Sequence, residues 1–199
     1  MYIVKYSGPF GFIKPWTAVR DSETFSQQFL TPSIIEGIEK KLFPELLKVK
    51  GIHKIKRHRL TYKGISKQQE QIQPRGITQE PKSPRKTDKY IILKRDKSIL
   101  SRGVLIEPDL YLCFDNRLDA NTAFNQHICL ARNEDILFPD MMHGIKEINE
   151  NEFDENYRGF ELIFEKSDDS FIVGYNRFNE AKAMYGKILI VGNNPLKSI

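Results

Sequence analysis

The amino-acid sequence predicts an α+β fold, an antiparallel sheet with helices on one face. Apolar runs of strand length recur along the chain, while only two stretches show helical spacing. Their order is strand, helix, strand, a long basic insert, strands, helix, strands, which suits helices segregated to one side of an antiparallel sheet. The length, 199 residues, fits a single domain over 1–199 with an inserted arm at about 63–98.

Taken in order, Tyr2 to Tyr6 is a short apolar strand closed by a turn at Gly8-Pro9. A loop holding Phe10, Phe12, Lys14, Trp16 and Arg20 comes next. Ile34, Ile35, Ile38, Leu42 and Phe43 then fall on one helical face. Thr31 can cap this helix with Pro32 at its first position, or Ser33 can cap it with Glu36 three residues on. Pro44 cannot continue the hydrogen-bond ladder and stops the helix near Phe43. The segment from Ile52 to Tyr62, between Gly51 and Gly64, reads as a strand with one wet, cationic face. Residues 64–88 have Pro, Gly, Gln and Lys but no core-forming period, so they read as a long loop or an extended β-hairpin arm. Order returns with strands at Tyr90 to Leu93 and Ile99 to Ile106. Leu110 to Phe114 is a nearly continuous apolar run, which predicts a buried central strand. A second helix is expected from Asp119, with Ala123, Phe124, His127, Ile128 and Ala131 on its apolar face and Asp119 or Asn121 as cap. Residues 133–157 read as acidic and irregular. Strands close the chain at 160–164, 171–173 and 187–191, the first two joined by a turn at Asp168-Asp169-Ser170.

The net charge of +5 conceals a sharp division. Residues 48–102 hold 17 Lys and Arg against 4 Asp and Glu, whereas residues 103–199 hold 9 against 17. Such a swing predicts two kinds of partner: phosphate for the basic stretch, and water or a basic protein neighbour for the acidic one. Other classes drop away. The longest aliphatic run, residues 188–191, is far short of the roughly 20 residues of a bilayer span. Lys5, Gly8 and Pro9 make the first ten residues unlike a signal peptide. Cys113 and Cys129 form no disulfide framework and are expected as free thiols in a reducing cytoplasm. The four histidines, His53, His58, His127 and His143, show no metal-ligand spacing, and no glycine-rich phosphate loop is present, so no metal or cofactor is expected.

An exposed cationic strand leading into a basic arm can follow a nucleic-acid backbone and release counterions. The candidate contacts are Lys54, Lys56, Arg57, His58 and Arg59 on the strand, and Lys63, Lys67, Arg75, Lys82, Arg85, Lys86 and Lys89 beyond it. Lys14, Trp16 and Arg20 add a loop in which the indole could stack on a base or meet a partner. Phe10 and Phe12 are read as core. Ser33, at a helix start with free backbone N–H groups, could meet a phosphate. A histidine near Lys56 and Tyr62 could also act as a general base on a ribose 2′-OH. His58 and Tyr62, however, stand about 13 Å apart along an extended strand, too far to converge on one phosphate, so no catalytic residue is assigned.

One stretch carries a family resemblance. Ser7-Gly8-Pro9-Phe10-Gly11-Phe12, Trp16, Arg20-Asp21, Phe29 and the run from Thr31 to Ile38 resemble the N-terminus of the Cas-five subunits of CRISPR Cascade effector complexes, in the RAMP superfamily. The match covers about forty residues and is loose afterwards. The resemblance implies a ferredoxin-like (RRM-like) βαββαβ core with a projecting basic β-hairpin arm. It also implies a noncatalytic subunit in antiviral and antiplasmid defence that holds the 5′ handle of the CRISPR RNA at one end of a ribonucleoprotein. Its partners would be CRISPR RNA, the backbone and large subunits and, indirectly, target DNA. One branch of that family cleaves precursor CRISPR RNA without metal, which makes an endoribonuclease the first alternative. A general RNA-binding accessory protein is the second. The glycine-rich C-terminal loop of many related RNA-binding proteins has no counterpart here, because Val191 to Pro195 is only a turn.

Overall fold

A computed structural model describes residues 1–15, 23–72, 77–81, 91–95, 98–130, 134–176 and 179–192, with backbone alone for 72, 77–81 and 91–95. The chain is α+β with a mostly antiparallel sheet. Its strands are β1 (Tyr2–Ser7), β2 (Phe10–Gly11), β3 (Glu23–Phe25), β4 (Ile55–Thr61), β5 (Gly64–Ile72), β6 (Ile77–Pro81), β7 (Ile91–Arg95), β8 (Ser98–Ile106), β9 (Asp109–Phe114), β10 (Ile128–Cys129), β11 (Ile136–Pro139), β12 (Ile145–Glu147), β13 (Gly159–Ile163), β14 (Phe171–Asn176) and β15 (Lys182–Val191). The helices are α1 (Pro32–Leu42), α2 (Arg117–Phe124) and α3 (Glu150–Asn156), with a short 3-10 turn at Pro44–Leu46.

The main sheet runs β10-β11-β1-β9-β4-β13-β15-β14, and β12 pairs with β1 beyond β11. β9 lies antiparallel between β1 and β4: Leu110 faces Tyr6 on one side and Leu60 on the other. β1 and β4 are therefore parallel to each other, and the chain passes between them through α1. A second sheet is built on β8, which pairs with β2 and β5 antiparallel and with β3 parallel. The β5–β8 ladder runs from Gly64 opposite Ile106 to Ile72 opposite Ser98. β6 and β7 form their own ladder, from Ile77 opposite Arg95 to Pro81 opposite Ile91.

Alternation along the central strands sets where the core lies. Val4, Tyr6, Leu60, Tyr62, Leu110, Leu112 and Phe114 meet Ile35, Ile38 and Leu42 of α1 and Ala120 and Ala123 of α2. Each of the three α1 side chains removes apolar surface worth about 1.5–3 kcal/mol. The Tyr6 hydroxyl, deep in this layer, donates to the Ala123 carbonyl at 2.7 Å, which ties α2 to β1. On the opposite face Ile3 and Cys113 pack against Phe153 of α3. The helices thus cover both faces, where the sequence predicts one. The cause is visible in β9: its apolar run leaves both faces in need of cover.

α1 starts as expected, with Thr31 in extended backbone at the cap and Pro32 in the first turn. The Ser33–Glu36 capping box does not form: Glu36 turns instead to Lys40 and to the Gly51 amide. α2 is displaced from its expected position. Asn116 caps it, accepting from the Asp119 amide at 2.8 Å, and it ends at Phe124. Ile128 then enters the core from β10, opposite Leu137 of β11, and not from a helix. Residues 133–157 hold more order than their polarity suggests. They contain β11, β12 and α3, and α3 begins with a full capping box between Asn149 and Glu152. Among the described residues no helix is long and apolar enough to cross a membrane.

β13 joins the sheet at a glycine. Gly159 has φ +135°, and a Cβ there would overlap the Leu60 carbonyl oxygen. Both effects point the same way, since a side chain is strained at that φ and has no room. Gly159→Ala should destabilise the protein by roughly 1–3 kcal/mol, read as a lower urea midpoint with an unchanged slope.

Candidate nucleic-acid interface

β4 carries the densest basic cluster, and its environment decides what those charges can do. The strand is interior to the sheet, between β9 and β13. Arg57 and Arg59 are two residues apart and share one face, the one beneath α3. Arg59 has no exposed surface. Its Nη1 donates to the carbonyls of Phe153 and Tyr157, at 3.0 and 2.6 Å. Its Nη2 donates to Asp154 Oδ1 at 2.7 Å and Glu161 Oε2 at 2.9 Å. Arg57 grips Glu161 with two donors, Nε at 2.6 Å and Nη2 at 2.8 Å, and reaches Asp154 at 2.9 Å. Both guanidinium groups lie over the Phe153 ring, at 5.0 and 4.2 Å from its centroid.

The charge states follow from this arrangement. Burial pushes the Glu161 carboxyl up, but its hydrogen bonds and charge contacts with Arg57 and Arg59 prevail and hold it below the ordinary range. Asp154 is likewise lowered: burial opposes the shift, and the two arginines outweigh it. Arg57 is raised, first by its hydrogen bonds to Glu161. Two cations and two carboxylates therefore neutralise each other within the fold.

The other strand positions divide between core and surface. His58 points to the α1 side, 4% exposed, stacked on Phe164 with ring centroids 6.4 Å apart. Its Nε2 has no hydrogen-bond partner among the described residues. Burial lowers its pKa to about 4, so the ring is neutral at physiological pH. Tyr62, on the same face, is also buried and donates to Gln28 Oε1 at 2.6 Å. Neither reaches a ribose at the surface. Lys54 binds Glu45 and Asp119, both at 2.8 Å, and lies over the Phe43 ring. Lys56 occupies the bulge between Ile55 and Arg57, half-exposed, with its Nζ 3.0 Å from Asp115.

The expectation of a wet, cationic face on β4 is thus corrected. Arg57, His58 and Arg59 are turned inward, and Lys54 is held by two carboxylates. Part of the acidic half of the chain, Asp115, Asp119, Asp154 and Glu161, is occupied by this strand. The sequence reading missed these partners because they lie far along the chain: Glu161 is 104 residues from Arg57. One signal was available, the odd-position pair Arg57 and Arg59 on a strand whose even positions lead to Leu60 and Tyr62.

The remaining candidates are dispersed. Lys14 and Ser33 are exposed, the latter with its Oγ 3.1 Å from Thr31 Oγ1. Lys63 pairs with Glu107 at 3.5 Å, and Lys67 pairs with Glu23 on β3. Trp16, Arg20, Arg75, Lys82, Arg85, Lys86 and Lys89 lie outside the described residues. Phe12 is buried and Phe10 half-buried. Of the thiols, Cys113 is buried, and Cys129 is half-buried with Lys41 Nζ 3.4 Å from its sulfur. No protein-family model matches this chain, and no curated protein matches it either.

In an unfolded chain a histidine protonates near pH 6.5, whereas buried His58 protonates near about 4. Between those values the unfolded state binds the extra proton. The neutral ring's contribution, about 3 kcal/mol, is present above about pH 6.5 and lost as pH falls toward 4. His58→Leu should flatten the decline in urea midpoint between pH 6.5 and 4.5. Parallel curves for mutant and wild type would assign the decline to another group. Glu161 and Asp154 act lower: their depressed pKa values give stability that is present above about pH 4 and lost below it. Arg59→Met leaves Glu161 buried with one partner fewer, and should cost about 3–5 kcal/mol in urea unfolding.

Proposed function

We propose that this protein is a noncatalytic RNA-binding subunit of the Cas-five type, holding the 5′ handle of a CRISPR RNA within a Cascade-like ribonucleoprotein. The observation that carries this reading is the excess of basic residues in the segment after β5, since the basic residues of β4 are neutralised from within. Residues 73–97 hold eight Lys and Arg against three Asp and Glu. The β5–β8 ladder flanks this segment on both sides, and the β6–β7 ladder lies within it. They support a reading of residues 63–98 as a basic β-hairpin arm. Residues 82–90, the connection between β6 and β7, bring Lys82, Arg85, Lys86 and Lys89 against Asp88 alone. Such an arm suits a phosphate backbone.

The strand order supports the fold half of the proposal. β11-β1-β9-β4, with α1 after β1 and α2 after β9, follows the 4-1-3-2 order of a ferredoxin-like βαββαβ core. The N-terminal motif supports the family half: Gly8 lies against the Ile136 backbone in a turn that admits no side chain, and Thr31-Pro32 starts α1. For the endoribonuclease alternative, the strand's histidine and tyrosine are both turned into the core.

The test is binding of labelled single-stranded repeat RNA across a salt series. Lys82, Arg85, Lys86 and Lys89 replaced together by Ala should weaken binding and lower the log–log salt slope by about 0.7 per lost phosphate contact. Lys56→Ala should change it by one contact or none. An unchanged slope in the fourfold variant, with its circular dichroism intact, would overturn the arm as the RNA grip. In the same reactions with EDTA the RNA should keep its length.

A further inference from the structure

The second sheet presents an aromatic ring in an unusual setting. Phe25 is the last residue of β3, and its register partner on β8 is Gly103. On the other side of β8 the partner of Gly103 is Lys67 of β5. The three residues therefore form one row across three strands, on one face. A Cβ at Gly103 would overlap the Phe25 ring, so the ring packs closely on the glycine. Phe25 is nonetheless 46% exposed. Lys67, with its side chain 61% exposed, has its Nζ 5.5 Å from the ring centroid. Glu23, two residues before Phe25, pairs with Lys67. Gln69, the next β5 residue on that face, is also exposed.

We propose that Phe25 is a stacking platform for an unpaired base of single-stranded RNA, with Lys67 holding the adjoining phosphate. The inference rests on the RNA-binding reading above and names a base contact for it. Contact with the Gly103 backbone seats the ring in the sheet, and its exposed part is available to a base once Lys67 turns from the ring to a phosphate. Nucleobases of any sequence stack on such a face, and a neighbouring cation takes the backbone charge. Glu23 restrains Lys67 in the free protein through an exposed pair, which is weak, and a phosphate can displace it. Position favours RNA as the occupant: β5 carries Lys67 and leads directly into the basic segment 73–97, and β8 carries Gly103 on the way back. The Phe–Gly pairing also shields the sheet backbone, and the experiment separates that role from stacking.

The probe is a labelled single-stranded RNA 20-mer, used with the full chain. Phe25→Leu should weaken binding about tenfold, the loss of one stacked base, with the salt slope unchanged. Phe25→Tyr should bind like wild type. Lys67→Gln should lower the slope by about 0.7. In a second arm, 5-iodouridine is placed at each position of the RNA in turn, and the irradiated wild-type complex should yield a crosslinked peptide containing Phe25. That arm stands even where Phe25→Leu fails to fold. Wild-type binding with no crosslink at Phe25 and no loss in Phe25→Leu would overturn the platform and leave the RNA-binding reading in place. In that outcome the ring serves the sheet or a protein neighbour. Failure of wild type to bind RNA at all would overturn both.

Discussion

The guanidinium of Arg59 is the constraint around which this fold closes. It has no exposed surface, and four acceptors surround it: two carbonyls at the end of α3 and two carboxylates, Asp154 and Glu161. A charge in that position is tolerable only when acceptors face it, and its Nε alone finds none among the described residues. α3 must therefore sit where its last carbonyls face β4, and β13 must sit where Glu161 faces the same strand. Phe153, 0% exposed, fills the space between the two guanidinium groups and Ile3 and Cys113 beneath. A short helix of seven residues is marginal alone. Here its C-terminal carbonyls are capped by an arginine from another element, and its N-terminus by a capping box.

The same principle operates on the other side of β4 with opposite sign. Glu39 of α1 is fully buried and accepts from the backbone amides of His53, Lys54 and Ile55. A carboxylate from one helix thus fixes where β4 begins, and a guanidinium from β4 fixes where a second helix ends. Between them these two groups explain why a strand so rich in charge can occupy the middle of a sheet.

What could be read in the sequence was what local pattern determines. β1, α1, β9 and the start of β13 appear close to where periodicity put them, because apolar spacing, Pro32 and Pro44 act over a few residues. The hidden part depends on partners remote in the chain. α2 stops at Phe124 because Asn125 and Gln126 turn the chain, and the Gln126 side chain donates to the Leu42 carbonyl of α1 at 2.9 Å. β10, β11 and β12 are two to four residues long, too short to show a period. In the candidate site, charge type was legible but its direction was not. Arg57 and Lys54 look alike to a composition argument, yet each ends in an ion pair with a carboxylate that comes much later in the chain, 104 residues on for Arg57 and 65 for one of the two partners of Lys54. Nothing in the local sequence marks Phe25, because its setting comes from Gly103, a residue on a strand that pairs with it only in the folded chain.

The separation between Arg59 and Glu161, 102 residues, also has a temporal meaning. Ribosomes add about 5–20 residues per second, so Arg59 emerges on the order of ten seconds before the carboxylate that neutralises it. β1 waits similarly for β9, which it needs on its inner edge. β9 arrives about midway through that interval and can pair with β1 and β4, but the Arg59 guanidinium still has only water or a soluble anion in place of Glu161. The ion pairs that close β4 are therefore among the last contacts the chain can make, because Glu161 belongs to β13, near the end of the sequence.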